Sequence, residues 1–404
     1  METSVEASVQ EVRTPSVCSD SAGGDMATRM RSRAMRLIFS AGFLVLAFVG
    51  GSHACAICFS LVVITPGQKL DSADQAVLAI QSGDPSWLRI VAVVKGNVPV
   101  YDVIEQSALS APPGEPRSSR GKPLLLIRSD LSENWTSLGE IGVEYADWLR
   151  QLAASNRGGG VSPARIWPQP LAVSHLTDGE WLERVRLVAR YLEDPEPLAA
   201  EIAFGEVARA PHSARRTLGR QLDAATIARW IDDPELAPRR AAYTMLLGIA
   251  GGPQDALEIE RRIDEALLAQ DATNLSAMLV ADLELRGSSR LDWLKATFFA
   301  DRKRTLPEID AALLALSVLG EADATVPREK VIETYRYFIA VRKPMAGFVA
   351  MELARWQAWD ATADYVDIIR SKAVKDPAGQ FAILSYLKSS PIAVEQAASV
   401  PAAE

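Results

Sequence analysis

Tyr191-Leu192-Glu193-Asp194-Pro195-Glu196 and Trp230-Ile231-Asp232-Asp233-Pro234-Glu235 are near-copies of one six-residue phrase, set 39 positions apart (191 to 230). In each, an aromatic residue closes an apolar helical run, Asp is placed to cap, and Pro suits the first turn of the next helix. Looser echoes stand at Asp271-Ala272-Thr273-Asn274 ahead of Leu275 to Leu285, and at Asp376-Pro377 ahead of Phe381 to Leu387. Upstream, Thr177-Asp178-Gly179-Glu180 is a capping box, with Trp181, Leu182, Val185, Val188, Ala189 and Leu192 following at helical spacing. The pattern predicts a helix from Asp178 and further helices over Leu306 to Leu319, Arg328 to Arg342 and Met345 to Trp356. Short linkers such as Gly251-Gly252-Pro253 and Gly287-Ser288-Ser289 divide them.

The period falls just under the roughly 40–47 residues of HEAT-type helical pairs. Residues 176–390 therefore resemble a HEAT-like α-solenoid. The resemblance implies a stack in which each repeat buries one apolar face and which presents a long surface to a partner. Residues 391–404 are expected to form a disordered tail. Within the array, Trp181, Trp230, Trp293, Trp356 and Trp359 fall at apolar helical positions or helix ends and are expected in the core. Glu193-Asp194 and Asp232-Asp233 look like paired carboxylates, but each pair straddles a predicted cap, so capping is their expected work. Asp301-Arg302-Lys303-Arg304 reads as a solvated helix end or loop.

Outward toward the N-terminus the period changes from helix to strand. Trp87 to Lys95 sets Leu88, Ile90, Ala92 and Val94 on one face and Arg89, Val91, Val93 and Lys95 on the other. Ala76 to Ile80 and Pro123 to Ile127 are short buried-strand candidates, and Val98 to Ile104 a further one after the turn Lys95-Gly96-Asn97. A Pro/Gly/Ser-rich loop fills Ser107 to Gly121, and a helix is expected over Ile141 to Leu152. Several short strands with one helix suggest a small barrel or sandwich over residues 55–152. Gly158-Gly159-Gly160 with Pro163, Pro168 and Pro170 makes residues 153–175 a linker. The fold expected is thus multidomain, β then α.

A cysteine placed to open the mature chain, Ser72-Ala73-Asp74-Gln75-Ala76-Val77-Leu78-Ala79, a strand ending Val93-Val94-Lys95-Gly96, and Lys122-Pro123-Leu124-Leu125-Leu126-Ile127 together resemble the netrin-like module. That module is the OB-type barrel of the tissue inhibitors of metalloproteinases. In those inhibitors the amine and carbonyl of the N-terminal cysteine bind a protease's zinc, a role the resemblance would carry to Cys55 alone. They open with Cys-X-Cys bonded to distant cysteines, whereas this chain has Cys55-Ala56-Ile57-Cys58 and no later cysteine.

Residues 26–54 have the layout of a signal peptide: Arg29, Arg31, Arg33 and Arg36, an apolar run from Leu37 to Val49, then Gly50-Gly51-Ser52-His53-Ala54. Cleavage between Ala54 and Cys55 would place the protein in the periplasm or cell envelope. Two alternatives use the same residues: an uncleaved membrane anchor from Leu37 to Ile64, or a lipid on Cys55. Residues 1–25, which include Cys18, read as a disordered leader. The whole chain has the look of an exported bacterial protein.

The formal net charge is −8, and no basic stripe interleaved with aromatics appears, which argues against nucleic acid as a partner. The expected partner is another envelope or secreted protein, with membrane contact only through the N-terminal segment. Cys55 and Cys58 are a candidate local disulfide. The competing function is a thiol-disulfide redox factor, or an inhibitor of the resembled kind, acting through that pair. His175 and His212 have no ligand-spaced companion and are expected as ordinary surface or loop histidines. No cofactor motif, metal motif or catalytic constellation is read from the sequence, which leaves a non-catalytic binding or scaffold protein as the expected class.

Overall fold

The computed structural model describes residues 64–110, 121–129, 134–156, 176–322 and 325–392. Thr65-Pro66-Gly67-Gln68 opens it with a capping box the sequence reading passed over. Thr65 Oγ1 accepts the Gln68 amide at 3.2 Å, and Gln68 Oε1 accepts the Thr65 amide at 3.0 Å. The box starts a short helix, α1 (Pro66–Ser72). Strands β1 (Gln75–Gln81), β2 (Trp87–Lys95), β3 (Val103–Glu105), β4 (Leu109–Ser110), β5 (Leu124–Arg128) and β6 (Trp135–Glu140) follow.

These six strands form one sheet in the order β3-β2-β1-β5-β6-β4, antiparallel except where β4 runs parallel to β6. The two edge strands are neighbours in sequence, separated only by the 3-10 turn Gln106–Ala108. The chain itself therefore ties one edge to the other, and the sheet curls into a nearly closed, barrel-like form that leaves little edge to pair with another chain. The expected alternation of β2 is present, with Leu88, Ile90, Ala92 and Val94 buried. Val98 to Ile104 is strand only from Val103. Pro99 offers no amide hydrogen, and Tyr101 turns left-handed (φ 74°), so the hairpin stays irregular up to that point.

β1 and β5 are apolar on both faces because both faces are covered. Val77, Ala79, Leu124 and Leu126 point into the barrel with Leu88, Ile90, Ile104 and Trp135. Ala76, Leu78, Leu125 and Ile127 point outward, into a core shared with helices. Ala92 and Val94 join that outer core although Leu88 and Ile90 lie inside. Register shifts in the β1–β2 ladder at Ala76/Val77 and Leu78/Ala79 allow the crossing.

The helix expected after the sheet is α2 (Ala146–Ala154), which runs two residues past its expected end into the segment read as linker. Beyond residue 176 the chain is mainly helical: α3 (Asp178–Val188), α4 (Pro197–Arg209), α5 (His212–Arg216), α6 (Ala224–Asp232), α7 (Arg240–Ala250), α8 (Pro253–Ala269) and α9 (Leu275–Arg286). Then come α10 (Leu291–Leu294), which runs on into a π-helical turn, α11 (Leu306–Ala322), α12 (Arg328–Val341), α13 (Ala350–Arg355), α14 (Thr362–Arg370) and α15 (Pro377–Ser389). α3 starts at Asp178 under the predicted Thr177–Glu180 capping box, and Asp376 caps α15 with Pro377 in its first turn.

The Asp-Pro phrases are a correction. Asp194 Oδ1 and Asp233 Oδ1 accept the amides two residues on, at 2.9 Å each, and so form turns. The next α-helices begin later, at Pro197 and Arg240. Pro197, the second proline of the first phrase's extension, takes the helix-start position the sequence had given to Pro195.

Most helices pack on neighbours one or two places along, α7 on α6 and α9, α9 on α8 and α11, α11 on α12, but α1 packs on α4 and α5 reaches across to α11. α9 is apolar nearly all round and central, with Leu275, Leu279, Val280 and Leu283 at 0% exposure. Its Ala281 sits so close to Gly248 of α7 that a side-chain carbon there would fall 2.5 Å from the Ala281 Cα. The five tryptophans meet the expectation: Trp181 is fully buried, and Trp230, Trp293, Trp356 and Trp359 pack against the core. One apolar core runs from the outer sheet face to Tyr386 of α15.

Candidate functional site

Four charges are buried where the sheet meets the array. Arg184 lies at a core-facing position of α3, one turn after Trp181, and is itself 0% exposed. Its Nη2 donates to both oxygens of Asp71 in α1 at 2.9 Å, its Nε to Glu206 Oε2 in α4 at 2.5 Å, and its Nη1 to Ser155 Oγ at 3.1 Å. Arg209, one turn beyond Glu206, donates to Glu206 Oε2 at 2.6 Å and to Asp71 Oδ2 at 3.1 Å, and stacks over the Trp181 ring at 4.9 Å. Lys95 closes the sheet side, its Nζ donating to the Asp71 carbonyl at 2.7 Å.

Two guanidiniums and two carboxylates balance, which is what burial of charge demands. Burial pushes the Asp71 carboxyl above its usual range, only partly opposed by Arg184 and Arg209. Burial is also the strongest influence on Glu206, but the charges and hydrogen bonds of Arg184 and Arg209 together bring it below its ordinary value. Glu206 Oε1 accepts no hydrogen bond and faces the first turn of α1, where a Cβ on Gly67 would sit 2.0 Å from it. Glycine is required there for the approach. Chemically the cluster is self-contained: each acid is committed to arginine, and Ser155 Oγ donates to the Leu152 carbonyl at 2.7 Å. It holds α1 and α2 to α3 and α4. A shallow cleft of about 540 Å³, lined by Gln151, Ser155, Glu183 and Arg186, opens beside it.

A larger cleft, about 680 Å³, lies on the array where α7 turns into α8 and α9 ends. Ile249, Pro253, Leu257 and Leu285 give it an apolar wall, and Leu257 is 56% exposed. Its polar side is Arg216, Glu284 and Thr325. Glu284 Oε2 accepts from Thr325 Oγ1 at 2.6 Å and from Arg216 Nε at 3.2 Å, while Arg216 Nη2 donates to Thr325 Oγ1 at 2.7 Å. The other carboxylate oxygen lies 2.9 Å from His212 Nε2. Burial acts most strongly on Glu284 and would raise its pKa; the hydrogen bond and charge of His212, with Thr325 and Arg216, hold it below the ordinary value. Arg286, also in the wall, is engaged by Asp282, Glu260 and the Ala256 carbonyl. Arg216 is thus fixed in direction by two acceptors while about a third of its side chain stays open to solvent.

His212 is a second correction: it is a buried helical residue in an ion-paired cluster, not a surface or loop histidine. Its partner Glu284 is 72 residues away, so nothing local could show it. The paired carboxylates do not converge. Glu193 takes Arg239 at 2.5 Å and the Tyr243 hydroxyl, whereas Asp194 takes the Tyr145 hydroxyl at 2.7 Å. Asp232 pairs with Arg262 at 2.7 Å, and Asp233 holds its turn. Asp301 to Arg304 is a turn, as expected, with Asp301 Oδ1 accepting the Lys303 amide at 2.9 Å. Ala54, Cys55, Cys58, His175, the segment 26–54 and residues 393–404 lie outside the described residues. No described helix is long and apolar enough to cross a membrane.

The sequence reading missed Asp71, Arg184, Glu206 and Arg209. A signal was present: Arg184 and Glu206 occupy apolar-face positions of otherwise regular helices, where an unpaired charge would be prohibitive. No family model, curated protein or solved structure matches the chain.

Proposed function

We propose that this is an exported cell-envelope protein that binds another envelope or secreted protein through its helical array, without catalysing a reaction. In this reading residues 176–390 are a HEAT-like solenoid and residues 55–152 a netrin-like, OB-type barrel. Support for the array comes from most helices packing on near neighbours along the chain, and for the barrel from the linked edge strands. The basic-apolar-small stretch Arg29 to Ala54 supports export. The observation that carries the binding role is the cleft at the α7–α8 turn. There an exposed apolar rim at Leu257 adjoins an arginine pre-oriented by Glu284 and Thr325, the combination of apolar anchor and fixed polar group from which recognition sites are built.

The test is capture from envelope extract by the full chain, compared with Leu257→Asp and Arg216→Glu. Leu257 is exposed, so its replacement leaves the core intact. A specific partner held by the native chain and lost by both variants supports the proposal. A partner retained by both refutes it.

A further inference from the structure

The array ends on an apolar face. Phe381 and Leu384 lie on one stripe of α15 and are 71% and 52% exposed, and Phe348 and Met351, on the segment that α15 packs against, are 41% and 52% exposed. The packing beneath is tight: a Cβ on Gly347 would fall 2.5 Å from the Gly379 Cα, so the two segments meet backbone to backbone. Among the described residues nothing lies over the stripe Pro377-Phe381-Leu384-Lys388.

We infer that this end face is a dimer interface at which α15 packs antiparallel on α15 of a second copy. A two-fold axis between Phe381 and Leu384 sets each Phe381 against Leu384 of the second copy, which a self-complementary isologous contact requires. The same axis places Lys388 beside the start of the opposite helix, where Asp376 is exposed and negative. The only cation of the stripe thus meets an anion, twice per dimer. With Phe348, Met351 and Ile392 contributing, the exposed apolar area is roughly 500 Å² per copy, so two copies bury at most on the order of 1,000 Å², the lower limit of a specific interface and the range of weak, transient association.

Sedimentation velocity of the full chain in a mild detergent, over about 1 to 100 µM, reads the association directly. A concentration-dependent dimer is expected, abolished by Phe381→Asp and weakened about tenfold by Lys388→Glu, which turns both charge pairs repulsive. Asp376→Lys should weaken its own homodimer in the same way, yet mixed with the Lys388→Glu chain it should form a heterodimer at native strength, because every cross-pair is then attractive. Since Asp376 caps α15, Asp376→Asn, which keeps the cap but not the charge, is the folded control. Three results would overturn the inference: a monomer at every concentration, a dimer indifferent to these changes, or a dimer seen only once residues 393–404 are removed, which would make that segment the occupant.

Discussion

Replacing Arg184 by methionine keeps roughly the volume of the side chain and removes its charge. Asp71 and Glu206, at 9% and 0% exposure, would be left with Arg209 as their remaining guanidinium, and Ser155 Oγ would lose its donor. Breaking a buried ion cluster by removing one member costs about 3–5 kcal/mol, because an uncompensated charge stays in a medium that cannot solvate it. For a folded unit of this size that corresponds to a fall in melting temperature of very roughly 6–10 °C, taking about 2 °C per kcal/mol. Circular dichroism at 222 nm during heating, with urea unfolding for the free energy, measures it. Arg184→Met combined with Asp71→Leu, Glu206→Met and Arg209→Met, which removes all four charges together, should recover most of the loss, since well-packed apolar side chains can replace a buried ion cluster at little cost. A loss under about 1 kcal/mol for the single change would refute the reasoning, as would a quadruple variant no more stable than the single one.

Gly248→Ala forces a methyl onto the backbone of α9 and should destabilise by about 1–3 kcal/mol in the same urea assay, although alanine is the better helix former. Acidification should act through Glu284, whose pKa in the fold lies below the ordinary 4.5. A depressed carboxyl gives stability that is complete above the unfolded value and is lost as pH falls through the folded one. Unfolding free energy should therefore decline below pH 4.5, and Glu284→Gln should flatten that slope while lowering the plateau at neutral pH. Asp71 works in the opposite sense, because its raised pKa makes protonation easier in the fold than in the unfolded chain.

What could be read in advance was local. The alternation of β2, the apolar run of β1, the Thr177 capping box and the Asp376-Pro377 start each depend on residues within a few positions of one another. Two local features were still passed over. Thr65-Pro66-Gly67-Gln68 is a capping box on a helix too short to show periodicity, and Trp135-Thr136-Ser137-Leu138-Gly139-Glu140 carries little apolar contrast because only Trp135 is buried. The Asp-Pro phrase marked the helix boundaries, but its Asp residues are taken up by turn amides and by Tyr145. The ionic clusters were out of reach for another reason. Asp71 and Arg184 are 113 residues apart and His212 and Glu284 72, and their meeting depends on how the elements stack.

The proposed function places a partner at the α7–α8 turn. Hydrogen–deuterium exchange of the full chain, with and without the captured partner, tests it where it is most exposed. Slowed exchange is expected in residues 249–257 and 285–286, with the outer strand Val103–Glu105 unchanged. Protection confined to the sheet, with residues 249–257 exchanging as in the free protein, would contradict it.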